Sequence, residues 1–433
     1  MNGGSNMERR RPIQVTEAVE AVMKYARRGL AETVPLEKAD GRFLYEDVAA
    51  SHAVPPFDRS PYDGFAIKSA DARHASRQNP VKLKVIAEIG AGDVSGQHIR
   101  NGEAVRIMTG AAIPSGADCV IMLELVNEFM ENGAPVIEIK RRMSPGENIS
   151  RRGEDAEEGR LLLQKGTVVH PGVTALLATF GYSYVKAVKP PLIGVLATGS
   201  ELLDVPELLL PGKIRNSNGP MAASQILNAG GLFRQYGIIK DDPDSVYDSV
   251  CRAAKECDAV ITTGGVSVGD FDFLPEVYRR LGASVLFNKI AMRPGSVTSC
   301  AMLEGKPLFG LSGNPSACFV GFELLVRPYI QHWLYSPYPH LRNVEGFLAT
   351  DFPKPNPFAR FVRSRLEYNN GTILARPVGL DKSSAVSSLA EADCLAVLPG
   401  GTRGYCAGDR VDILLLNDRM GSDSAWQAPL SSR

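Results

Sequence analysis

Residues 259–272 read AVITTGGVSVGDFD, and this stretch decides the fold class. An apolar run as long as a strand, AVITT, leads into a glycine-rich loop that ends with two aspartates. Strands that are buried on both faces of a parallel sheet read as short, continuous apolar segments of this kind. The stretch therefore predicts a strand of an α/β sheet whose carboxyl end opens into a loop.

The same pattern recurs on both sides of this stretch. Other apolar runs follow one another between residues 190 and 334: PLIGVLATG, LFRQYGII, SVLFNKIAM, VTSCAML and PLFGLSG. Helical patterns lie between them, over residues 219–228, 243–256, 273–281 and 315–334. Because strands and helices alternate, we predict a doubly wound, mostly parallel sheet with helices on both faces, over residues 189–335.

The flanking segments have a different character. Residues 51–151 contain short β-rich runs separated by glycine, proline and asparagine, which predicts a β-rich inserted domain. Residues 9–50 and 152–188 are then expected to form one discontinuous N-terminal α/β domain. It begins with a helical pattern over residues 15–28, with Thr16 in the capping position.

The C-terminal part reads as a small β domain over residues 336–417. Two alternating runs, RFVRSRLEY and TILARPV, are separated by Asn370-Gly371, which is a strong hairpin signal. Residues 418–433 are polar, and we expect them to be disordered. The fold class is therefore α/β multidomain, with a central doubly wound sheet and β-rich domains around it.

Composition excludes several function classes. The chain has 433 residues, and its 48 Lys and Arg balance its 48 Asp and Glu, so no overall charge attracts nucleic acid or a membrane surface. The seven cysteines form no CxxC pair and the six histidines lack metal-ligand spacing, which disfavours a zinc site. Because we find no membrane-spanning or signal segment, we expect a cytoplasmic protein.

Residues that follow the strands should meet at one edge of the sheet, where α/β proteins bind their ligands. These strand ends carry carboxylates at Glu201, Asp241, Asp242, Asp270 and Asp272, and cations at Lys289 and Arg293. Clustered carboxylates suit a divalent cation with oxygen ligands, so we infer Mg²⁺. A solvated acid or a helix cap remains the alternative for each of them.

Two loops at this edge predict anion binding. Glycines leave backbone amides open to a phosphate in the first loop, which contains Gly264, Gly265, Val266, Ser267 and Gly269. The second loop, with Ser312, Gly313, Asn314 and Pro315, should direct the free amides of the next helix toward a ligand. A tight turn and ordinary helix capping are the alternatives without a ligand.

Ordered motifs along the chain resemble the MoeA family of molybdopterin molybdenumtransferases, to which the C-terminal part of gephyrin is related. They are PPFDRSPYDGFA (55–66), RIMTGA (106–111), RRGED (151–155), TGSE (198–201), TTGGVSVGDFD (262–272), AMRPG (291–295) and LSGNPSA (311–317). The resemblance covers about residues 11–416. It implies a homodimer of four-domain subunits that inserts molybdate into adenylylated molybdopterin, releases AMP and needs Mg²⁺.

The resemblance also assigns residues. Family positions fall on Asp63, Thr109, Asp155, Glu201, Asp241, Asp272, Lys289, Pro315, Arg363 and Ser383. It implies that Asp63, Thr109 and Asp155 reach the site from the partner subunit. Many family members have lysine, lysine and proline where this chain has Arg293, Ser296 and Ser312.

These residues suggest a mechanism. The loop that starts at Gly264 grips the pterin phosphate, Glu201, Asp241 and Asp272 hold Mg²⁺, and Lys289 and Arg293 neutralise molybdate. Asp272, Asp63 and Asp155 are further catalytic candidates. Two alternatives stay open: the preceding adenylylation of molybdopterin, and a non-catalytic gephyrin-like scaffold. A separate molybdopterin adenylyltransferase is a possible docking partner.

Overall fold

A computed structural model describes residues 11–93, 96–265, 274–355, 357–418 and 421–426. The described chain forms two compact units. Unit 1 contains the described residues of 1–46, 165–175 and 183–433, and unit 2 contains those of 47–164 and 176–182. No helix within these described ranges combines the length and the apolar character needed to span a membrane.

The regular elements in the described residues are numbered in chain order. The helices are α1 (Val15–Met23), α2 (Pro171–Thr179), α3 (Asn218–Asn228), α4 (Pro243–Glu256), α5 (Leu274–Leu281), α6 (Pro315–Gly321), α7 (Arg327–Trp333) and α8 (Ser387–Glu391). The first ten strands are β1 (Ala31–Pro35), β2 (Val48–Ala49), β3 (Gly64–Ile67), β4 (Val81–Ile89), β5 (Glu103–Ile107), β6 (Cys119–Met122), β7 (Val126–Glu131), β8 (Ala134–Ile139), β9 (Leu161–Leu163) and β10 (Tyr184–Val188). The others are β11 (Leu192–Thr198), β12 (Leu202–Leu203), β13 (Ile214–Arg215), β14 (Leu232–Ile239), β15 (Ala259–Thr263), β16 (Ser284–Phe287), β17 (Met292–Arg293), β18 (Ser299–Leu303), β19 (Lys306–Leu311), β20 (Asn343–Leu348), β21 (Ala359–Asn369), β22 (Thr372–Pro377), β23 (Cys394–Leu398) and β24 (Arg410–Leu415).

The central sheet of unit 1 has the strand order β14-β11-β15-β19-β18-β16. Strands β14, β11, β15 and β19 run parallel, whereas β18 is antiparallel to both β19 and β16. Alternate residues of β15 enter different cores: Ile261 packs with α3 and α6, and Val260 packs with α4 and α5. Helices thus cover both faces, which confirms the predicted doubly wound and mostly parallel sheet.

The helices of this unit match the predicted pattern with local differences. Helix α1 ends at Met23, five residues before the expected end, and Thr16 lies inside the helix instead of capping it. The backbone N–H of Gln14 donates to the Glu17 carboxylate at 3.0 Å, so Glu17 satisfies the amide that precedes the helix. Between α6 and α7 the chain widens into a π-helical segment, Phe322–Val326.

The C-terminal strands form a second sheet in unit 1, with the order β17-β21-β22-β20-β24-β23. An additional pairing of β21 with β23 closes it into a small barrel-like domain, as the all-β prediction requires. The turn residues Asn370 and Gly371 have φ angles of 48° and 80°, which are the positive values of a two-residue hairpin turn.

The expectation of disorder after Asn417 was wrong for the described tail residues 421–426. Trp426 is only 8% exposed and packs edge-on against Phe361, with ring centroids 5.8 Å apart. Its indole Nε1–H donates to Asp412 Oδ2 at 2.7 Å. The composition of the tail is polar, but one buried aromatic side chain with a satisfied N–H is enough to order the segment around it.

Unit 2 is built mainly from a six-stranded sheet with the order β6-β3-β5-β4-β8-β7. Strand β3 is buried along its whole length and pairs antiparallel with both β5 and β6. The short strands β2 and β9 also pair with each other. The sheet places the residues before β3 and after β5 at the same edge of the unit.

Candidate active site

The carboxyl ends of three parallel strands meet at one edge of the central sheet. The Gly264 amide, just after β15, donates to Leu311 O at the end of β19 at 3.0 Å. Gly264 has φ +99°, and a Cβ on it would lie 2.4 Å from Thr198 O at the end of β11. Gly313 is a neighbour of Gly264, since a Cβ on Gly313 would be in van der Waals contact with Gly264 Cα at 3.5 Å. A glycine is required at position 264 because the backbone of Thr198 is so close and the φ angle is positive.

Two carboxylates lie beside the turn that follows β11. Asp241 Oδ2 accepts the backbone N–H of Ser200 at 2.8 Å. The Glu201 side chain folds back over Gly199, where its Oε2 would be 2.7 Å from an added Cβ. Lys213 Nζ closes the same turn by donating to Ser200 O at 2.5 Å. The structure therefore brings Glu201 and Asp241 to the same turn, as the sequence predicted.

Several predicted site residues lie outside the described residues. They are Val266, Ser267, Gly269, Asp270 and Asp272. Within the described ranges, no group of three or more His, Cys, Asp or Glu side chains is placed to hold a metal ion. Of the three residues predicted to bind the metal, Glu201 and Asp241 are described, and Asp272 lies outside the described residues.

Asp242, next to Asp241, has a different role. Its Oδ2 accepts the backbone N–H of Ser245 at 2.8 Å, so it caps helix α4. Hydrogen bonds from Ser245 hold the pKa of this carboxyl below its usual value. Two neighbouring acids at one strand end therefore divide between the site edge and a helix cap.

The loop before α6 is braced from two sides. Asn218 Nδ2 donates to Gly313 O at 2.8 Å, and Ser312 Oγ accepts the Asn314 N–H at 3.2 Å. Pro315 occupies the first helical turn, as predicted. The prediction that the amides of this turn are free was wrong for Ser316, because its N–H donates to Ser383 O at 3.0 Å. Asn218 was missed, although it begins α3 in the polar segment NSNG.

The two predicted cations lie on one loop, in which Arg293 belongs to β17, the edge strand of the C-terminal sheet. This loop is closed by Ile290 N–H, which donates to Ser296 O at 2.8 Å. Lys289 is half-buried and Arg293 is exposed. Strand β17 pairs with β21, and in this register Arg293 lies beside Arg360. Arg293 is therefore available to an anion from solvent.

Arg363 has a buried position that the sequence did not predict. Its side chain is 1% exposed, its Nη2 donates to Leu380 O at 3.0 Å, and its Nε donates to Ser388 Oγ at 3.2 Å. Burial lowers the pKa of the guanidinium, while the nearby Asp381 raises it. Arg363 thus has almost no surface for a direct ligand contact in this conformation, and it instead holds the segment that carries Ser383.

Unit 2 joins two of its motifs through one aspartate. Asp63 Oδ1 accepts both the backbone N–H and the Oγ1–H of Thr109, at 2.7 and 2.8 Å. The backbone hydrogen bond and then the hydroxyl lower the pKa of Asp63. Since the side chain is exposed, Asp63 is held as a fixed, charged carboxylate at the surface of its unit.

A second aspartate of unit 2 holds the segment that contains Asp155. Asp58 accepts Arg151 Nη1 at 2.7 Å and the Arg152 N–H at 2.8 Å. The Asp155 N–H donates to Val54 O at 3.0 Å. Asp58 was not predicted as a site residue, although it stands in the motif PPFDRSPYDGFA. Its contacts hold the segment with Arg151 and Arg152 against the segment that contains Asp63.

Comparison with known families finds three matches that follow one another along the chain. The MoeA N-terminal region (domain I and II) matches residues 13–181, and a probable molybdopterin binding domain matches residues 194–332. The MoeA C-terminal region (domain IV) matches residues 345–416. Together they include the sheet edge at Thr198, Gly264 and Gly313, which we call the glycine edge, and the segments of unit 2 just described.

Whole-length relatives have the same arrangement. The chain is 56% identical over 420 residues to the molybdopterin molybdenumtransferase of Bacillus subtilis (strain 168), covering 97% of this chain and 98% of the relative. It is 49% identical over 409 residues to that of Staphylococcus aureus (strain COL), covering 94% and 97%. Two solved structures of the molybdopterin biosynthesis MoeA protein from Pyrococcus horikoshii superpose with TM-scores of 0.82 and 0.80, at 33% and 30% identity. Each alignment covers 94% of this chain, and 99% and 100% of the solved chains.

Proposed function

Because the chain belongs to the MoeA family, we propose that it is a molybdopterin molybdenumtransferase, which inserts molybdate into adenylylated molybdopterin and releases AMP to give molybdenum cofactor. The observation that carries the proposal is the meeting of Thr198, Gly264 and Gly313 at one sheet edge, with Glu201 and Asp241 beside them. An anionic, phosphate-bearing substrate fits an edge where backbone groups can approach closely and charged side chains lie around them.

The glycine edge is the proposed phosphate site. Gly264 and Gly265 begin the loop that we assign to the pterin phosphate, together with Val266, Ser267 and Gly269 of its undescribed part. Gly313 and Asn314 form the opposite wall, where Asn218 fixes the Gly313 carbonyl. Fixed backbone groups need no reorganisation when a charged ligand arrives, which favours tight and oriented binding.

We propose Mg²⁺ as the metal cofactor. Glu201 and Asp241 offer carboxylate oxygens at one turn, and such hard ligands suit Mg²⁺, which keeps several waters of its own. Asp272 completes the proposed ligand set. When bound, the ion supplies positive charge beside the phosphoanhydride.

Molybdate is proposed to bind near Lys289, Arg293 and Ser383. A molybdate oxygen attacks the adenylyl phosphorus, and the bond from this phosphorus to the pterin phosphate oxygen breaks. The bond from molybdenum to this oxygen then breaks, so AMP leaves with the oxygen that came from molybdate. Molybdenum bonds to the two dithiolene sulfurs of the substrate, which release their protons to solvent. The cations stabilise the negative charge that develops during this transfer.

The family also suggests the assembly. We propose a cytoplasmic homodimer in which Asp63, Thr109 and Asp155 complete the site of the partner subunit, and a molybdopterin adenylyltransferase as a further partner. The fixed, charged state of Asp63 supports a role in a site that handles cations or protons. The proposed domains are residues 9–50 with 152–188, 51–151, 189–335 and 336–417.

The adjacent acids at the end of β14 provide a matched test. We expect Asp241→Asn to lower the rate of molybdate-dependent AMP release by at least about a hundredfold. The reason is that a proposed Mg²⁺ ligand loses its negative charge. Asp242→Asn should keep the activity near wild type, because Asp242 caps α4. The measurement is AMP release from adenylylated molybdopterin at varied molybdate and Mg²⁺ concentrations.

The outcomes separate the components of the proposal. If wild-type protein releases no AMP when molybdate is added, the transferase function is wrong. Equal activity of the Asp241 and Asp242 variants would remove Asp241 from the site. Full activity in the presence of a metal chelator would exclude Mg²⁺ as a requirement.

A further inference from the structure

Asp381 is a partly buried acid that receives three cations in the C-terminal sheet domain. Its Oδ2 accepts Arg360 Nη1 at 2.7 Å and Lys354 Nζ at 3.2 Å, and its Oδ1 lies 3.6 Å from Arg363 Nη1. The side chains of Asp381, Arg360 and Arg363 are 13%, 10% and 1% exposed. Removing this carboxylate would take away the negative charge that the two buried guanidinium groups share, which is unfavourable.

The same cations hold a segment that we call the serine loop, residues 379–386. Arg363 Nη2 donates to Leu380 O at 3.0 Å and to Lys382 O at 3.3 Å. Lys354 Nζ donates to Asp381 O at 3.0 Å. Side chains from β21 and the segment before it therefore fix the backbone of the serine loop on both sides of Asp381.

The serine loop is docked on the first turn of α6. Ser383 O accepts the Ser316 N–H at 3.0 Å, and Ala385 O accepts the Ser316 hydroxyl at 2.6 Å. Ser316 directly follows Pro315, and Ser312 and Gly313 lie at the glycine edge. The docking thus places Ser383 next to the loop that we propose for anion binding.

We propose that Asp381 is a positioning residue for molybdate: by holding Arg360, Arg363 and Lys354 together, it fixes Ser383 against the start of α6. This inference rests on the proposed function and adds a residue to it. Asp381 acts through the serine loop and does not touch the oxyanion, since a carboxylate repels an anion of the same charge. Arg363 helps to fix Ser383, because its buried side chain donates to the carbonyls of Leu380 and Lys382.

The charge of Asp381 makes the test decisive. If Asp381 positions the serine loop, Asp381→Asn should raise the KM for molybdate by about tenfold or more, with a smaller change in kcat, as loss of an outer-shell partner does. If Asp381 only screened nearby cations, removing its negative charge would instead lower this KM. If it only stabilised the domain, the melting temperature would fall and KM would stay unchanged. Either of the last two results would overturn the proposal.

A second variant and a control protect the test against loss of folding. Lys354→Gln removes an exposed partner of Asp381 and should raise the KM for molybdate in the same direction by about twofold. Asp409→Asn is the control, because Asp409 Oδ2 caps a turn of the same domain by accepting the Cys406 N–H at 2.7 Å. Its KM for molybdate should equal that of the wild type, and an equal rise in this control would overturn the proposal.

Hydrogen exchange without substrate distinguishes this proposal from the proposed function. In Asp381→Asn we expect faster exchange of the Ser316 amide and of the serine loop, because their docking is loosened. If wild-type protein shows no AMP release but the exchange still changes, the proposed function fails while the positioning of the loop stands. Unchanged exchange at Ser316 would reject the positioning role whatever the activity.

Discussion

At the scale of single residues, the hydrogen-bond donors around a carboxylate decide its role. Asp241 receives an N–H from the turn after β11, whereas Asp242 receives one from the first turn of α4. Asp63 receives two donors from Thr109 and stays charged at the surface, while Asp381 is enclosed by cations. These four aspartates therefore have four different roles. In the order in which they are named above, they are a candidate metal ligand, a helix cap, a fixed surface charge and a counter-ion for buried cations.

His340 provides a prediction for pH. Its pKa is lowered to about 4, chiefly by burial, against the opposing charge of Asp423 and with a smaller contribution from the nearby His332. In the unfolded chain the pKa is about 6.5. Stability from neutral His340 is thus complete above pH 6.5 and is lost as the pH falls toward 4, by about 3 kcal/mol in total.

His340→Asn tests this prediction. The free energy of unfolding, measured by denaturant titration between pH 4 and 7.5, should fall less steeply with acid in this variant than in the wild type. The stability difference between the two proteins should level off above about pH 6.5. Parallel pH profiles for both proteins would show that His340 contributes nothing to the acid sensitivity.

At the scale of elements, local sequence predicted most of the central sheet and its helices. The bounds of α4 agree with the prediction at both ends, because Asp242 and Pro243 start the helix and its apolar spacing is regular. The end of α1 and the π-helical segment before α7 were not predicted. The π-helical segment contains Glu323, whose buried carboxylate accepts Gln225 Nε2 from α3 at 2.8 Å. Such a contact joins elements that are far apart in sequence, so no local pattern could show it.

Asn218 gives the prediction for an element contact. Its side chain joins the start of α3 to Gly313, and its Oδ1 is buried without a partner among the described residues. We expect Asn218→Ala to destabilise the protein by about 1 kcal/mol, because the hydrogen bond from the buried Asn218 amide to the Gly313 carbonyl is lost. It should also raise the KM for the pterin substrate, since the loop at the glycine edge loses its support.

The measurements for Asn218 are denaturant unfolding and substrate kinetics. Ser217→Ala is the matched control, because Ser217 is exposed and makes no side-chain cap to α3. The control should keep both values close to wild type. An Asn218 variant with normal kinetics would mean that the Gly313 carbonyl is held in place by other contacts.

At the scale of the whole molecule, long-range pairings determine what the sequence could not show. Strand β1 pairs with β10 across about 150 residues of chain, and Asp381 collects Lys354 and Arg360 from other segments. Composition showed that the chain becomes β-rich near residue 51 and ceases to be so near residue 151. It carries no information about which strands or side chains pair over such long distances in sequence. The polar tail is the clearest case, since its order depends on where Trp426 packs.

Trp426 gives the last prediction, which concerns the integrity of unit 1. Its ring is buried against Phe361 of β21, and its indole N–H donates to Asp412 of β24. Trp426→Ala should therefore lower the free energy of unfolding by about 3 kcal/mol, near the lower limit for a buried tryptophan, because the side chain is not fully buried. Ser424→Ala, an exposed change in the same segment, should have no effect.

The chain has two tryptophans, so in a Trp333→Phe background the emission of Trp426 reports its surroundings directly. Emission at the wavelength of a solvent-exposed indole, together with unchanged stability of Trp426→Ala, would show that the tail is not packed on these strands.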